Sequence, residues 1–383
     1  MKKQVYVLLM CLLLLIGCWD SKELNEIGIV TAIAIDKDPK NGEIILTQQT
    51  LNASVLNVAG QGSGPPVKNH ESKGKTILDA IRNGTQEFDR KKFFNHNKII
   101  IIHENVAREG VLSILDIFVR DLEGRGLTLL SIARGGNARE ILDIEPEGIE
   151  KIQASSLEKI MENYQYTMKS SKVNLNGYYM KELEEGINPI VGILQKVDHK
   201  VKLMGVAIFK KNKLIGNLNE IETRGYHWVI GEMGNATISI PSLKHEDELV
   251  QIEMIGGNST IKPFLNGDKI SFTINSQVEV ALAEQQSKKQ FDPVENLKYL
   301  KQVEEKIKEF IENEMTTAIE KVQKEYQTDI FGFGRQLHKS YPREWGEVKE
   351  NWDEIFSNSP YTITIDVKIK HTGLIQGSFS SEE

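Results

Sequence analysis

One apolar run governs how this chain meets a membrane. Val5 to Ile16 is 12 residues without a charged or amide side chain, and Met1-Lys2-Lys3 precedes it. Spanning a bilayer core takes about 20 apolar residues, so the run has the proportions of a secretory signal instead. No second run of spanning length follows, and the remainder must fold as a water-borne body around its own core. At 383 residues it is too long for one compact core, which predicts two or three domains. Its 40% hydrophobic and 26% charged residues are ordinary for a globular protein. Without the first 17 residues, 45 basic side chains face 54 acidic ones, a balance of −9. That argues against nucleic acid as a partner, because neutralising phosphates needs a basic face. Two cysteines exclude a disulfide scaffold.

The run ends in Leu15-Ile16-Gly17-Cys18, which resembles the bacterial lipobox. Leucine stands three places before the cysteine and a small residue just before it; Ile16 is bulkier than the usual Ser or Ala. The resemblance implies that residues 1–17 leave as a signal peptide and that the Cys18 thiol is diacylated. An uncleaved anchor, or an ordinary signal peptide with a chance cysteine, is the competing reading. Stable lipid anchoring takes two acyl chains or more, which a diacylglyceryl group supplies.

Beyond the anchor, Ile27–Ile35 and Glu43–Leu51 read as a hairpin closed by Asp38-Pro39-Lys40-Asn41-Gly42. Asn52–His70 reads as a long loop. Helices are predicted at Thr76–Phe88, with Thr76 as cap, at Val111–Val119 and from Ala138. Strands are predicted at Lys98–Ile102 and Leu127–Ala133. Strands alternating with helices predict an α/β domain over residues 18–150. Residues 151–200 read as a connector with short helices, as a docking segment, or as part of a middle domain. Residues 201–290 read as a second module, mainly of antiparallel strands. Residues 291–375 hold a long amphipathic helix opening at Asp292-Pro293 and a final strand, Tyr361–Ile369, before a tail at 376–383. The helix stripe from Leu297 to Val322 suits packing on its own sheet, and is also long enough for a partner helix. The expected fold class is α/β (mixed α+β), with mixed sheets flanked by helices.

Signals for catalysis are poor. There is no Gly-x-Ser-x-Gly elbow for acyl transfer. Gly74-Lys75-Thr76 matches the end of a phosphate-binding loop, but Asn69 stands where the first glycine belongs. His96 and His103 lie an odd number of residues apart across a strand, which directs them to opposite faces. No helical His pair and no remaining thiols are present to build a metal site. The expectation is a chain with no catalytic residue, no cofactor and no metal.

Cys18-Trp19-Asp20, Glu23-Leu24-Asn25 and the strand Gly28–Asp36 open a series of ordered motifs. Gly74–Ile81 with Ile99–Ile102, Arg120-Asp121, Met204–Lys210, Leu214-Ile215-Gly216 and Glu222-Thr223-Arg224-Gly225 follow. Asp329-Ile330-Phe331-Gly332-Phe333-Gly334, His338, Tyr341-Pro342, Trp345 and Trp352 complete it. In this order they resemble the Ger(x)C family, the lipoprotein C subunits of spore germinant receptors; Gly126 and Leu127 depart slightly from its pattern. The resemblance implies three domains of unusual topology, no catalysis, and membrane-embedded A and B subunits as partners. It implies a place on the outer face of the spore inner membrane and a role in nutrient-triggered germination. Whether the subunit touches the small-molecule germinant is left open. The residues expected at a subunit interface are Glu222, Arg224 and Gly225, with Arg120 and Asp121; an internal ion pair is the alternative for Glu222 and Arg224, and turn pairing for Arg120-Asp121. Two other classes stay as rivals: a solute-binding lipoprotein of an importer, and a surface lipoprotein enzyme such as a cell-wall hydrolase.

Overall fold

The computed structural model describes residues 27–52, 64–120, 126–243, 248–267, 269–285 and 293–372. The expectations for Cys18, Asp121, the cap at Asp292 and the tail fall outside them.

The first core is built by strands that are apolar on both faces. β1 (Ile27–Lys37), β5 (Ile99–His103), β6 (Leu129–Arg134) and β8 (Ile190–Val197) run parallel and side by side. Strand side chains alternate between faces. Ile100 and Ile102 therefore join one apolar cluster and Ile99 and Ile101 another. Crossovers cover both faces, as buried parallel sheets require. α1 (Ile77–Asn83), α2 (Glu104–Glu109), α3 (Leu112–Arg120) and α6 (Leu175–Leu183) bury one face, and α4 (Ala138–Leu142) with α5 (Gln153–Glu162) the other.

Antiparallel strands extend this sheet at both ends: β2 (Ile44–Leu51) and β3 (Val67–Gly74) on one side, β9 (Lys200–Lys210) and β10 (Lys213–Leu218) on the other. Short β4 (Lys91–Phe93) pairs with β1 and β7 (Val173–Asn174) with β6, giving ten strands.

Three expectations meet a different structure here. The segment expected as a connector contributes β8 to the middle of the sheet, because Ile190–Leu194 is fully buried. The loop expected to reach His70 ends at Val67, where the backbone pairs along β2. The division expected at 200/201 falls at the start of β9, within the hairpin that β8 and β9 form in one sheet.

The second sheet has four strands in the order β11 (Thr237–Pro241), β12 (Leu249–Asn266), β13 (Lys269–Gln285), β14 (Tyr361–His371). The last pair is parallel, so this sheet is mixed as well. α8 (Pro293–Lys321) lays Val303, Ile307, Ile311, Met315 and Ala318 into the core beside it. Its 29 residues give about 44 Å at 1.5 Å per residue. A wide turn at Val322–Tyr326, closed by Gln327 N–H on the Val322 carbonyl at 2.8 Å, ends the helix.

α7 (Glu220–Ile230), α9 (Phe333–Ser340), α10 (Pro342–Val348) and α11 (Trp352–Asn358) fill the space between the two sheets. On β9, Ala207 and Phe209 face the first cluster while Val206 and Ile208 face this second core. One strand thus belongs to both.

Candidate functional site

The motif Glu222-Thr223-Arg224-Gly225 opens α7. Asn219 caps the helix, accepting from the N–H groups of Ile221 and Glu222, both at 2.9 Å. Glu222 returns the contact by accepting from Asn219 N–H at 2.7 Å, a capping box. The same carboxylate binds Lys321 of α8 at 3.0 Å through both oxygens. Burial pulls the Lys321 ammonium down, but Glu222 and its neighbours outweigh it and the net displacement is upward.

One turn further along, Arg224 makes a two-pronged contact with Glu314 of α8; its Nε lies 2.8 Å from Oε2. Trp228 Nε1 donates to the same carboxylate at 2.9 Å, and the guanidinium lies over the Phe310 ring at 5.3 Å. Gly225 lets the helices close: a Cβ there would sit 2.2 Å from the Glu314 carbonyl oxygen. Glu222, Arg224 and Gly225 therefore lock α7 to α8 within the chain. Arg120 stands apart at the end of α3, its Nε 2.8 and 2.6 Å from the Asp116 carboxylate, with 76% of its side chain exposed.

Asp329 forms a second buried centre. Its carboxylate accepts from the N–H groups of Phe331 (3.0 Å), Gly332 (2.8 Å) and Gly334 (2.7 Å), and from Trp352 Nε1 (3.2 Å). Burial pushes its pKa up to about 6 against the pull of these donors. The loop it shapes sits on Gly186, where a Cβ would lie 2.3 Å from the Gly334 carbonyl carbon. Nearby, Glu185 accepts from Trp345 Nε1 at 2.7 Å. The Asp329–Gly334 motif is thus a clamp between the α6–β8 linker and helices α9 to α11.

Two concavities border α7. A cleft of about 410 Å³ at the carboxyl ends of the parallel strands is lined by Glu104, Arg134, Gln195, Met204 and the start of α7. A smaller pocket of about 210 Å³ lies between α6, β7 and α7, lined by Ser171, Asn174, Lys181, Tyr226 and Glu232 among others. Beside it, His227 is wholly buried and donates from Nε2 to the Ser170 carbonyl at 2.7 Å. Burial pushes its pKa down. Among the described residues no group of three His, Cys, Asp or Glu side chains could hold a metal ion.

Glu314 and Lys181 had not been singled out from sequence. For Glu314 a signal was present: it continues the spacing of Ile307, Ile311 and Ala318, so a charge falls on the apolar stripe of α8.

Similarity to known proteins runs along nearly the whole chain. Residues 20–196 match a family described as spore germination protein N-terminal domain. Residues 204–373 match one described as spore germination B3/GerAC like, C-terminal. Spore germination protein YndF of Bacillus subtilis (strain 168) is 28% identical over 98% of each chain. Spore germination protein B3 of the same organism is 28% identical over 96% of this chain and 97% of its own. Spore germination protein KC is 26% identical over 96% and 95%. A crystal structure of the GerBC protein shares the fold, with a TM-score of 0.56 at 24% identity over 88% of this chain and 96% of that one. With both family regions matched in order on one continuous fold, the chain belongs to the Ger(x)C family of spore germination proteins.

Proposed function

We propose that this chain is the lipid-anchored C subunit of a spore germinant receptor. It works without catalysis, beside membrane-spanning A and B subunits, on the outer face of the spore inner membrane. The observation that carries the reading is the full-length likeness to spore germination proteins B3 and KC. Cys18 after Leu15-Ile16-Gly17 supplies the tether. Among the described residues no helix is long and apolar enough to cross a membrane. Tethering raises the local concentration of the body near embedded partners without any new contact.

The candidate interface residues divide into two roles. Arg120, exposed at the end of α3 beside Asp116, offers an outward charge to a partner, and Asp121 is proposed with it as the next residue in sequence. Glu222, Arg224 and Gly225 act from inside by fixing how α7 sits on α8, and so the surface that α7 presents.

The test is Cys18→Ser in spores. The expected result is loss of the chain from the membrane fraction together with loss of nutrient-triggered germination. Retention in the membrane with normal germination would overturn the anchor. Failure of the wild-type chain to co-purify with two polytopic subunits would overturn the receptor assignment.

A further inference from the structure

The pocket between α6 and α7 holds an ammonium group that makes no direct ion pair among the described residues; Glu232, on the same lining, attracts it only from beyond contact distance. Lys181 Nζ makes one long contact, 3.4 Å to the Tyr226 hydroxyl. Among the described residues no carboxylate lies within ion-pair distance of it; Glu182, the next residue, turns to the Tyr178 hydroxyl instead. Its pKa is displaced upward, with Tyr226 first and Glu232 outweighing the pull of burial. A partly buried cation of this kind is costly unless something pairs with it.

The other polar groups around the pocket have donors to spare. His227 Nε2 must carry the proton, because the Ser170 carbonyl 2.7 Å away can only accept. Ser171 Oγ, 3.1 Å from that nitrogen, then accepts from it and keeps its own hydroxyl proton free. Asn174 uses its carbonyl oxygen on the Gly177 N–H at 2.8 Å, which leaves its NH₂ to donate. Glu232 lines the same pocket with 59% of its side chain exposed, which places a single negative charge at the rim. The volume of about 210 Å³ equals about seven waters at roughly 30 Å³ each.

We infer that this pocket binds a small organic monocarboxylate through Lys181, Ser171 and Asn174. The donors fit one carboxylate, and Glu232 disfavours a second negative charge while accommodating an ammonium group. Lys181 and Asn174 lie in the first family region, Tyr226 and Glu232 in the second. An occupant would therefore tie the two together next to the α7–α8 lock.

The test is calorimetric titration and thermal melting of the purified full chain with propionate and with L-alanine. Saturable binding of either supports the site. A preference for L-alanine that Glu232→Gln abolishes assigns a zwitterion; equal binding assigns the simple carboxylate. Lys181→Met should weaken binding by about tenfold or more, the scale of a lost charge-assisted contact, and Lys181→Arg should restore much of it. Glu232→Gln supplies a second variant at an exposed rim residue, so the test does not rest on the lysine variants alone. Absence of binding by both probes, or binding unchanged in a folded Lys181→Met chain, would overturn the inference. The measurement needs no partner subunit, so its failure would leave the receptor reading standing, and the reverse.

Discussion

The two sheets solve the same problem with different chemistry. The ten-stranded sheet is packed by aliphatic side chains, with Ile33, Ile35, Ile99, Ile100, Ile101 and Ile102 entirely buried. Its buried carboxylate, Asp36, sits at the end of β1 and pins the start of α4 through the N–H groups of Ala138 and Arg139 at 2.8 and 3.0 Å. The region around the four-stranded sheet carries its charges inside: Arg224 with Glu314, Glu222 with Lys321, and Asp329 in its cage of N–H donors. Apolar packing is forgiving of small shifts. A buried ion pair is not, because its geometry must offset the desolvation of both partners. The second region is therefore the one whose helix positions are specified most tightly.

The largest test of this contrast is Glu314→Ala. It leaves Arg224 and Trp228 buried without their acceptor and should cost about 4 kcal/mol in chemical denaturation. A loss under about 1 kcal/mol would mean that the pair is not part of the scaffold. Ile101→Ala in the first sheet should cost about 3 kcal/mol through cavity formation, with no pH dependence.

The pH response separates the regions further. The folded pKa of Asp329, about 6, lies above its ordinary value of 3.8. The folded state then holds the proton more tightly, and this group's contribution is full in acid and is lost as pH rises through about 6. Measured against Asp329→Asn, wild-type stability should gain up to about 3 kcal/mol on falling through that window, at about 1.4 kcal/mol per unit. His227 works in the opposite sense. Burial lowers its pKa from 6.5, so its contribution is lost as pH falls below that value. Measured against His227→Gln, wild-type stability should decline on acidification. Urea titrations at several pH values read both slopes, and a flat profile for either variant pair would remove that group from the account.

Legibility in the sequence followed the same divide. Continuous or alternating apolar runs gave most strands, including Ile99–His103 and Tyr361–His371, because a local pattern reports burial directly. β8 was missed: Pro189 and a polar approach hid a short apolar run that only the neighbouring strands β6 and β9 make central. Thr76 was legible as a cap, and its oxygen accepts from Asp79 N–H at 3.1 Å. The partners of Glu222 and Arg224 were not. They lie 99 and 90 residues away, on a helix with many other glutamates and lysines; the place of Glu314 on the apolar stripe sets it apart, but nothing local names Arg224 as its partner or selects Lys321. Lys181 had no signal at all, since its meaning comes from a pocket that distant segments assemble around it.

The finest test sets two members of the candidate interface against each other. Gly225→Ala places a methyl 2.2 Å from the Glu314 carbonyl oxygen, a backbone atom that cannot swing aside. α7 and α8 must separate, at a cost of about 2 kcal/mol, and germination should fail along with stability. Arg120→Ala removes an exposed side chain from an i,i+4 pair with Asp116, an arrangement that contributes little to folding. Its melting curve should match wild type. Any loss of co-purification with the other subunits must then come from the surface itself. If both variants lose assembly in proportion to their loss of stability, Arg120 is an ordinary surface residue and the outward half of the interface lies elsewhere. If Arg120→Ala loses assembly at full stability, the two regions divide their labour: one side presents charge to a partner, and the other holds its helices in register.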